Sequence, residues 1–149
     1  MVIDAHQHFW NYDPQRHSWI SDDMSAIRRS FTPIDLMEVY ARNEIDGCVA
    51  VQVDQTLGET DFLLELADEY QFIKGVVGWV DLRSSGIDGV LEKYTNHKKL
   101  KGFRHIVQGE SDPNFMIRPS FLKGIATLTS YDYAYDILVF PHQLGAALE

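Results

Sequence analysis

The residues best suited to chemistry open the chain: Val2-Ile3-Asp4-Ala5-His6-Gln7-His8-Phe9-Trp10, a run of strand-type residues leading into a His-X-His pair. Residues i and i+2 of a β-strand point to the same side. His6 and His8 can therefore converge on one point, as two imidazoles must to hold a metal ion or to grip one substrate oxygen. Asp4 lies two residues before His6 and on this spacing shares their face. Later in the chain Gln52 with Asp54 and Gln55, Trp79 with Asp81, Arg104 with His105, and His142 all fall at the ends of apolar runs. If those runs are parallel strands, their carboxyl ends gather on one rim, which is where a (β/α) barrel carries its chemistry. Taken singly, each residue also has a structural reading: Arg104 as an ion-pair partner, His105 as a core histidine, His142 as a helix cap, Asp81 as a turn cap.

The elements that must position these residues alternate. A polar and aromatic loop over 9–31 follows the first strand, with Phe9, Trp10, Tyr12 and Trp19 able either to lid a pocket or to pin the loop to its rim. Within it Arg28 and Arg29 could meet an anion or lie on the plain surface, and His17 reads as surface. Thr32-Pro33-Ile34-Asp35 starts a helix: Thr32 caps, Pro33 suits the first position, and Asp35 favours the positive end. Helical spacing then runs to about Asn43. The nearly continuous apolar run over 47–53 predicts a strand covered on both faces, as in a parallel sheet. Helices are predicted near 59–70, 87–96 and 119–130, and strands at about 73–80, Leu100 to Ile106 and Tyr135 to Phe140. Gln143 to Glu149 reads as the start of a fifth helix. The second, third and fourth strands begin 27 residues apart, and βα units of that length imply a parallel sheet. The predicted class is α/β: about five βα units, short of the eight that close a barrel.

Bulk properties narrow the field. A chain of 149 residues suits one domain. A net charge of -9 disfavours a nucleic-acid partner, whose phosphates require a basic face. Cys48 is the single cysteine, so no intrachain disulfide can form, and a cytoplasmic location is expected. Within Gly47-Cys48-Val49-Ala50-Val51 it reads as a small buried apolar residue. No basic and apolar leader is visible, and no stretch approaches the ~20 apolar residues of a membrane span. A nucleotide fold is disfavoured because no glycine-rich phosphate loop occurs.

Four blocks carry a more specific signal: Asp4-Ala5-His6-Gln7-His8-Phe9-Trp10, Lys101-Gly102-Phe103-Arg104-His105-Ile106-Val107-Gln108, Phe115-Met116-Ile117-Arg118-Pro119 with Phe121, and Tyr135-Asp136-Ile137-Leu138-Val139-Phe140-Pro141-His142-Gln143-Leu144. In this order they resemble the amidohydrolase superfamily (amidohydrolase 2), in its subgroup of sugar-lactone and 2-pyrone-4,6-dicarboxylate lactonases. The resemblance implies the N-terminal part, over residues 1–149, of a distorted (β/α)8 TIM barrel hydrolysing a sugar-acid lactone or related cyclic ester. It implies that His6, His8, Arg104 and His142 are catalytic, and that Trp10, Gln52, Arg104 and His105 contact substrate. It also implies that His6 and His8 hold a divalent metal, zinc or manganese, or polarise the carbonyl directly in members that work without one. Arg104 would hold a carboxylate or carbonyl with its planar fork. Gly109 and Gly145 stand where relatives usually carry an acidic residue and a proline, which leaves substrate preference open. A later histidine and the aspartate serving as general base would lie beyond Glu149, with Asp4 and Glu110 the only substitutes nominated here. Asp4 more simply sits at the sheet bottom or bonds nearby backbone. The alternative is a truncated, non-catalytic chain stabilised by self-association, and a homo-oligomer is expected on either reading.

Overall fold

A computed structural model describes residues 1–149. Five strands, β1 (Ile3–Gln7), β2 (Gly47–Val51), β3 (Ile73–Gly78), β4 (Leu100–Ile106) and β5 (Ala134–Leu138), form one sheet in the order β1-β2-β3-β4-β5. Every neighbouring pair is parallel. Helices α1 (Pro33–Arg42), α2 (Leu57–Glu69), α3 (Ile87–Tyr94), α4 (Pro119–Ser130) and α5 (Leu144–Ala147) follow the strands in turn, so the predicted alternation is the observed one and the sheet is half of a barrel. β4 and α4 have the expected limits, while β2 and β3 each end two residues early and β5 runs one residue earlier at its start and two at its end. No helix is long and apolar enough to cross a membrane.

The core lies between the sheet and its helices. Cys48 and Ala50 of β2, Ile73 and Val76 of β3, and Phe103 of β4 pack there against Leu63, Leu91, Phe121 and Leu128 from the helices. Cys48 is buried, and burial pushes its thiol up to about 11. Helix starts are fixed locally. Thr32 and Asp35 form a reciprocal capping box on α1, and the Thr56 hydroxyl accepts from the Glu59 amide at 3.1 Å on α2. Such caps are worth about 1 kcal/mol each.

One irregularity decides which side chains reach the barrel interior. Asp4 pairs with Cys48 but Gln7 pairs with Ala50, so β1 carries one residue more than β2 between those points. This β-bulge resets the alternation of β1. Cys48 and Ala50 both face the helices, so Asp4 and Gln7 do too, and Asp4 accepts a hydrogen bond from the Tyr40 hydroxyl of α1 at 2.8 Å. His6 and His8 face the interior. The expectation that Asp4 shares the face of His6 is therefore corrected, because an unbroken period of two does not hold across the bulge.

Candidate functional site

The carboxyl ends of β1, β2 and β4 meet around Arg104. Its side chain is only 6% exposed and forms no salt bridge. One terminal nitrogen, Nη1, lies 3.1 Å from His6 Nε2, and the other donates to the Gln52 carbonyl. Its Nε is buried with no acceptor. Gln52 returns the contact, its side-chain amide donating to the Arg104 carbonyl at 3.1 Å. The two residues are thus laced together across β2 and β4, although 52 positions separate them.

The two histidines are in mutual contact, Nε2 to Nε2, at 3.1 Å. His8 Nδ1 is 2.8 Å from the Val51 carbonyl, which can only accept, so the proton of neutral His8 sits on Nδ1 and Nε2 keeps its lone pair. A guanidinium only donates, so Arg104 assigns the His6 Nε2 lone pair in the same way. Both imidazoles then turn lone pairs toward one point. That is a repulsive arrangement unless a proton or cation joins them. Burial, with Arg104 and His6 nearby, lowers the His8 pKa and so favours the neutral ring, against the opposing pull of the Val51 carbonyl.

Above this cluster opens a cavity of about 650 Å³, lined by His8, Trp10, Val53, Gln55, Arg104, Ile106 and Gln108 from the strand ends, with Arg16, His17, Trp19 and Ile27 from the 9–31 loop. The loop forms a wall of the cavity as well as being pinned. Its ends are closed by paired backbone bonds between Trp10 and Phe31, and Arg16 ties it to Asp54 at 2.6 Å. His17 is buried, its Nδ1 accepting from the Asp13 amide at 3.0 Å, which corrects its reading as surface. Arg28 and Arg29 form ion pairs with Asp22 and Asp35. Arg16 carried no sequence signal, because its two partners, Asp54 and Glu59, come from the far side of β2.

The remaining candidates sit elsewhere. His105 is 2% exposed and points into the helix layer, stacked on Phe115, with Nε2 donating to Glu110 at 2.8 Å and Nδ1 facing the Trp79 indole N–H at 3.4 Å. This is the core reading of His105, and it commits Glu110 as well. Gln52 lies behind Arg104 and does not line the cavity. His142 is exposed, stacked on Phe140, and outside the cavity. Asp81 pairs with Arg83 at 3.0 Å. Trp10 lines the cavity.

Two imidazoles 3.1 Å apart suit a divalent ion: nitrogen ligands at about 2.0–2.1 Å in tetrahedral array are separated by about 3.3 Å. The count does not suit it, since no group of three or more His, Cys, Asp or Glu converges as a metal site and catalytic zinc takes three protein ligands. The adjacent guanidinium further disfavours a cation. The residues present thus supply an incomplete metal site.

No protein-family model matches the chain. It is 39% identical over 143 residues to an L-fucono-1,5-lactonase of Burkholderia multivorans, covering 95% of this chain and 48% of that protein. An L-fucono-1,5-lactonase of Burkholderia ambifaria is 35% identical, with 98% and 50% covered. A crystal structure of a Burkholderia multivorans amidohydrolase with bound zinc superposes with a TM-score of 0.94 at 38% identity, covering 99% of this chain and 52% of that one. The chain thus spans about half the length of the curated relatives it matches. In sequence and in fold it is similar to about half of each of these amidohydrolase and lactonase relatives, as a half-barrel.

Proposed function

We propose that this half-barrel provides the substrate-binding and carbonyl-polarising part of a lactone hydrolase, acting on a sugar-acid lactone of the kind named for its relatives. The observation that carries the reading is Arg104, a buried guanidinium with no carboxylate partner, held by Gln52 and His6 beneath an open cavity. Burying a charge with no carboxylate in contact is costly, only partly offset here by Asp136 on the neighbouring strand, and such sites persist where a ligand supplies the missing acceptor. In hydrolysis the lactone carbonyl oxygen lies toward Arg104, whose guanidinium stabilises the charge it gains as water adds to the carbonyl carbon, while the His6 and His8 lone pairs would contribute only through a proton or cation held between them. The ring C–O bond then breaks to give a hydroxy acid, whose carboxylate matches the planar fork of Arg104. A divalent ion held by His6 and His8, zinc or manganese, would supply further polarisation of the carbonyl when its remaining ligands are present.

The base that activates water is the missing role. Asp4 is engaged by Tyr40 and by the His6 amide, Glu110 by His105, and Asp54 by Arg16. Those engagements favour a second reading, a chain that binds lactone or acid without turning it over. Calorimetric titration with L-fucono-1,5-lactone and with L-fuconate, alongside a hydrolysis assay, separates the two. Binding without turnover supports the second reading. Absence of binding to either, in a folded chain, removes both.

A further inference from the structure

We propose that the Arg16–Asp54 pair, with Gln55 beside it, is the subsite that selects a ligand bearing hydroxyls, so that specificity is set at the end of β2 while Arg104 takes the carbonyl or carboxylate. This rests on the lactone-hydrolase reading and adds to it the part of the ligand remote from the reacting carbon.

Arg16, Asp54 and Gln55 all line the cavity above Arg104. Their bonds within the chain leave a defined set of unused groups. Asp54 Oδ2 accepts from Arg16 Nε at 3.1 Å and from Nη2 at 2.6 Å, and Oδ1 accepts from the Gln55 backbone amide at 2.7 Å. A carboxylate offers about four lone-pair positions, so one acceptor position remains on Asp54. Arg16 spends Nε and Nη2 on that carboxylate, and its Nη1 bonds nothing within the chain. The Gln55 side chain is oriented by the Ile106 amide, which can only donate and is met by Oε1 at 2.8 Å. Its amide nitrogen is thereby left as a donor with no bond in the chain. Donors and an acceptor side by side suit hydroxyls, each of which both donates and accepts.

Charge decides between ligand classes. Arg16 and Asp54 neutralise each other, so neither an ammonium nor a second carboxylate gains by docking on the pair. Arg104 has no carboxylate in contact and seeks an anion. The two ends together fit an acid function joined to a neutral polyol, and fit a dicarboxylate poorly. Apolar lining from Trp10, Trp19, Ile27, Val53 and Ile106 suits the C–H faces of such a ligand.

A purely mechanical role, tying down the 9–31 loop, explains less. The two side chains are 50% and 30% exposed, and ion pairs at that exposure add little stability. The loop is already closed by the backbone bonds between Trp10 and Phe31. Arg16 is also steadied by a second carboxylate, since buried Glu59 lies 3.9 Å from Nη2 and accepts from the Val53 amide at 3.0 Å. A guanidinium held twice is preorganised for a ligand, as a binding group must be.

Calorimetric titration of the intact chain with L-fuconate and with 5-hydroxyhexanoate, the same carbon skeleton without the other hydroxyls, reads this selectivity directly. Wild type is expected to prefer fuconate by about tenfold or more. Arg16→Met and Asp54→Ala, each confirmed by a cooperative melt, should bring the two affinities within about threefold of each other, chiefly by weakening fuconate. Arg104→Met should weaken both acids in proportion. Asp54→Asn, which keeps an oxygen for Arg16, is the variant to use if either fails to fold, and should cut the preference about threefold. A displaced loop would lower both affinities together, so an unchanged ratio in the Arg16 and Asp54 variants overturns the proposal. Equal binding of both acids by wild type overturns it too and leaves the lactone-hydrolase reading in place. Binding of neither acid removes that reading and the subsite with it.

Discussion

Arg104 Nη1 and His6 Nε2 lie 3.1 Å apart across 98 positions of sequence, and no carboxylate shares the guanidinium. Stability and function therefore pull this residue in opposite directions. Removing an unpaired buried charge relieves its desolvation cost, which is set against the hydrogen bonds lost to Gln52 and His6. Arg104→Met should leave the denaturant midpoint within about 1 kcal/mol of wild type, or raise it, while weakening binding of fuconate at least tenfold. Arg104→Lys should not restore binding, since one ammonium cannot reach both Gln52 and His6 in the geometry of the fork. Wild-type affinity in the lysine variant would show that only charge matters here.

Zinc should bind weakly to the isolated chain. His6 and His8 present two lone pairs, one short of the three protein ligands of a catalytic zinc site, with a guanidinium beside them. Calorimetric titration should give a shallow isotherm that His6→Ala abolishes. A stoichiometric, saturable site surviving that substitution would point to ligands other than the pair.

The start of α1 should titrate in acid. Hydrogen bonds from the Thr32 amide and hydroxyl, and from Arg29, hold the Asp35 carboxyl down at about 2 from an ordinary 3.8. Because the folded-state pKa is the lower one, the unfolded chain binds the proton first as pH falls. The contribution is complete above about pH 4 and disappears as pH drops toward 2. Asp35→Asn should melt below wild type at pH 7, and the gap should close on acidification to pH 2. A constant gap across that range would mean that the charge is irrelevant to the cap.

Two glycines should respond oppositely to alanine. A Cβ on Gly124 of α4 would sit 2.0 Å from the Leu82 carbonyl oxygen, so Gly124→Ala must push α4 away from the segment after β3. A loss of about 1–3 kcal/mol is expected, as for an overpacked core. Gly89 lies inside α3 with nothing within 4 Å of a Cβ, and Gly89→Ala should gain about 0.5–1 kcal/mol from helix propensity alone. Chemical denaturation of both variants checks the pair.

Cys48 should be inert in the native protein. It is fully buried under α1, and burial moves its thiol up to about 11, well above the pH of ordinary thiol assays. A disulfide reagent at pH 8 should label it only after denaturant is added, and fast native labelling would place it at a surface.

The alternation of strands and helices was legible because a parallel strand covered on both faces must be continuously apolar, and the run from Gly47 to Val51 is. That His6, His8 and Arg104 would meet was legible because strand ends in such a sheet have only one rim to occupy. His17 and His105 were harder. One is buried by a loop whose tether runs through Arg16 to Asp54, and the other faces the helices because Phe103 and His105 share a side of β4. Contacts of that reach leave no local pattern. His142 at the end of the β5 block carried the same kind of signal as Arg104, yet it stands in solvent, where sequence order alone cannot distinguish a rim from an edge.

The bulge in β1 makes the location of the histidines a matter of counting rather than of chemistry. Asp4 looks toward α1 and His6 toward the lumen only because one surplus residue separates their pairing partners. Deleting Ala5 would remove no side chain beyond a methyl group, yet it would restore strict alternation. Because that deletion removes the surplus residue, it would keep Asp4 against Tyr40 and the imidazoles beside Arg104, whereas a full-length β1 without the bulge would turn Asp4, His6 and His8 to one face.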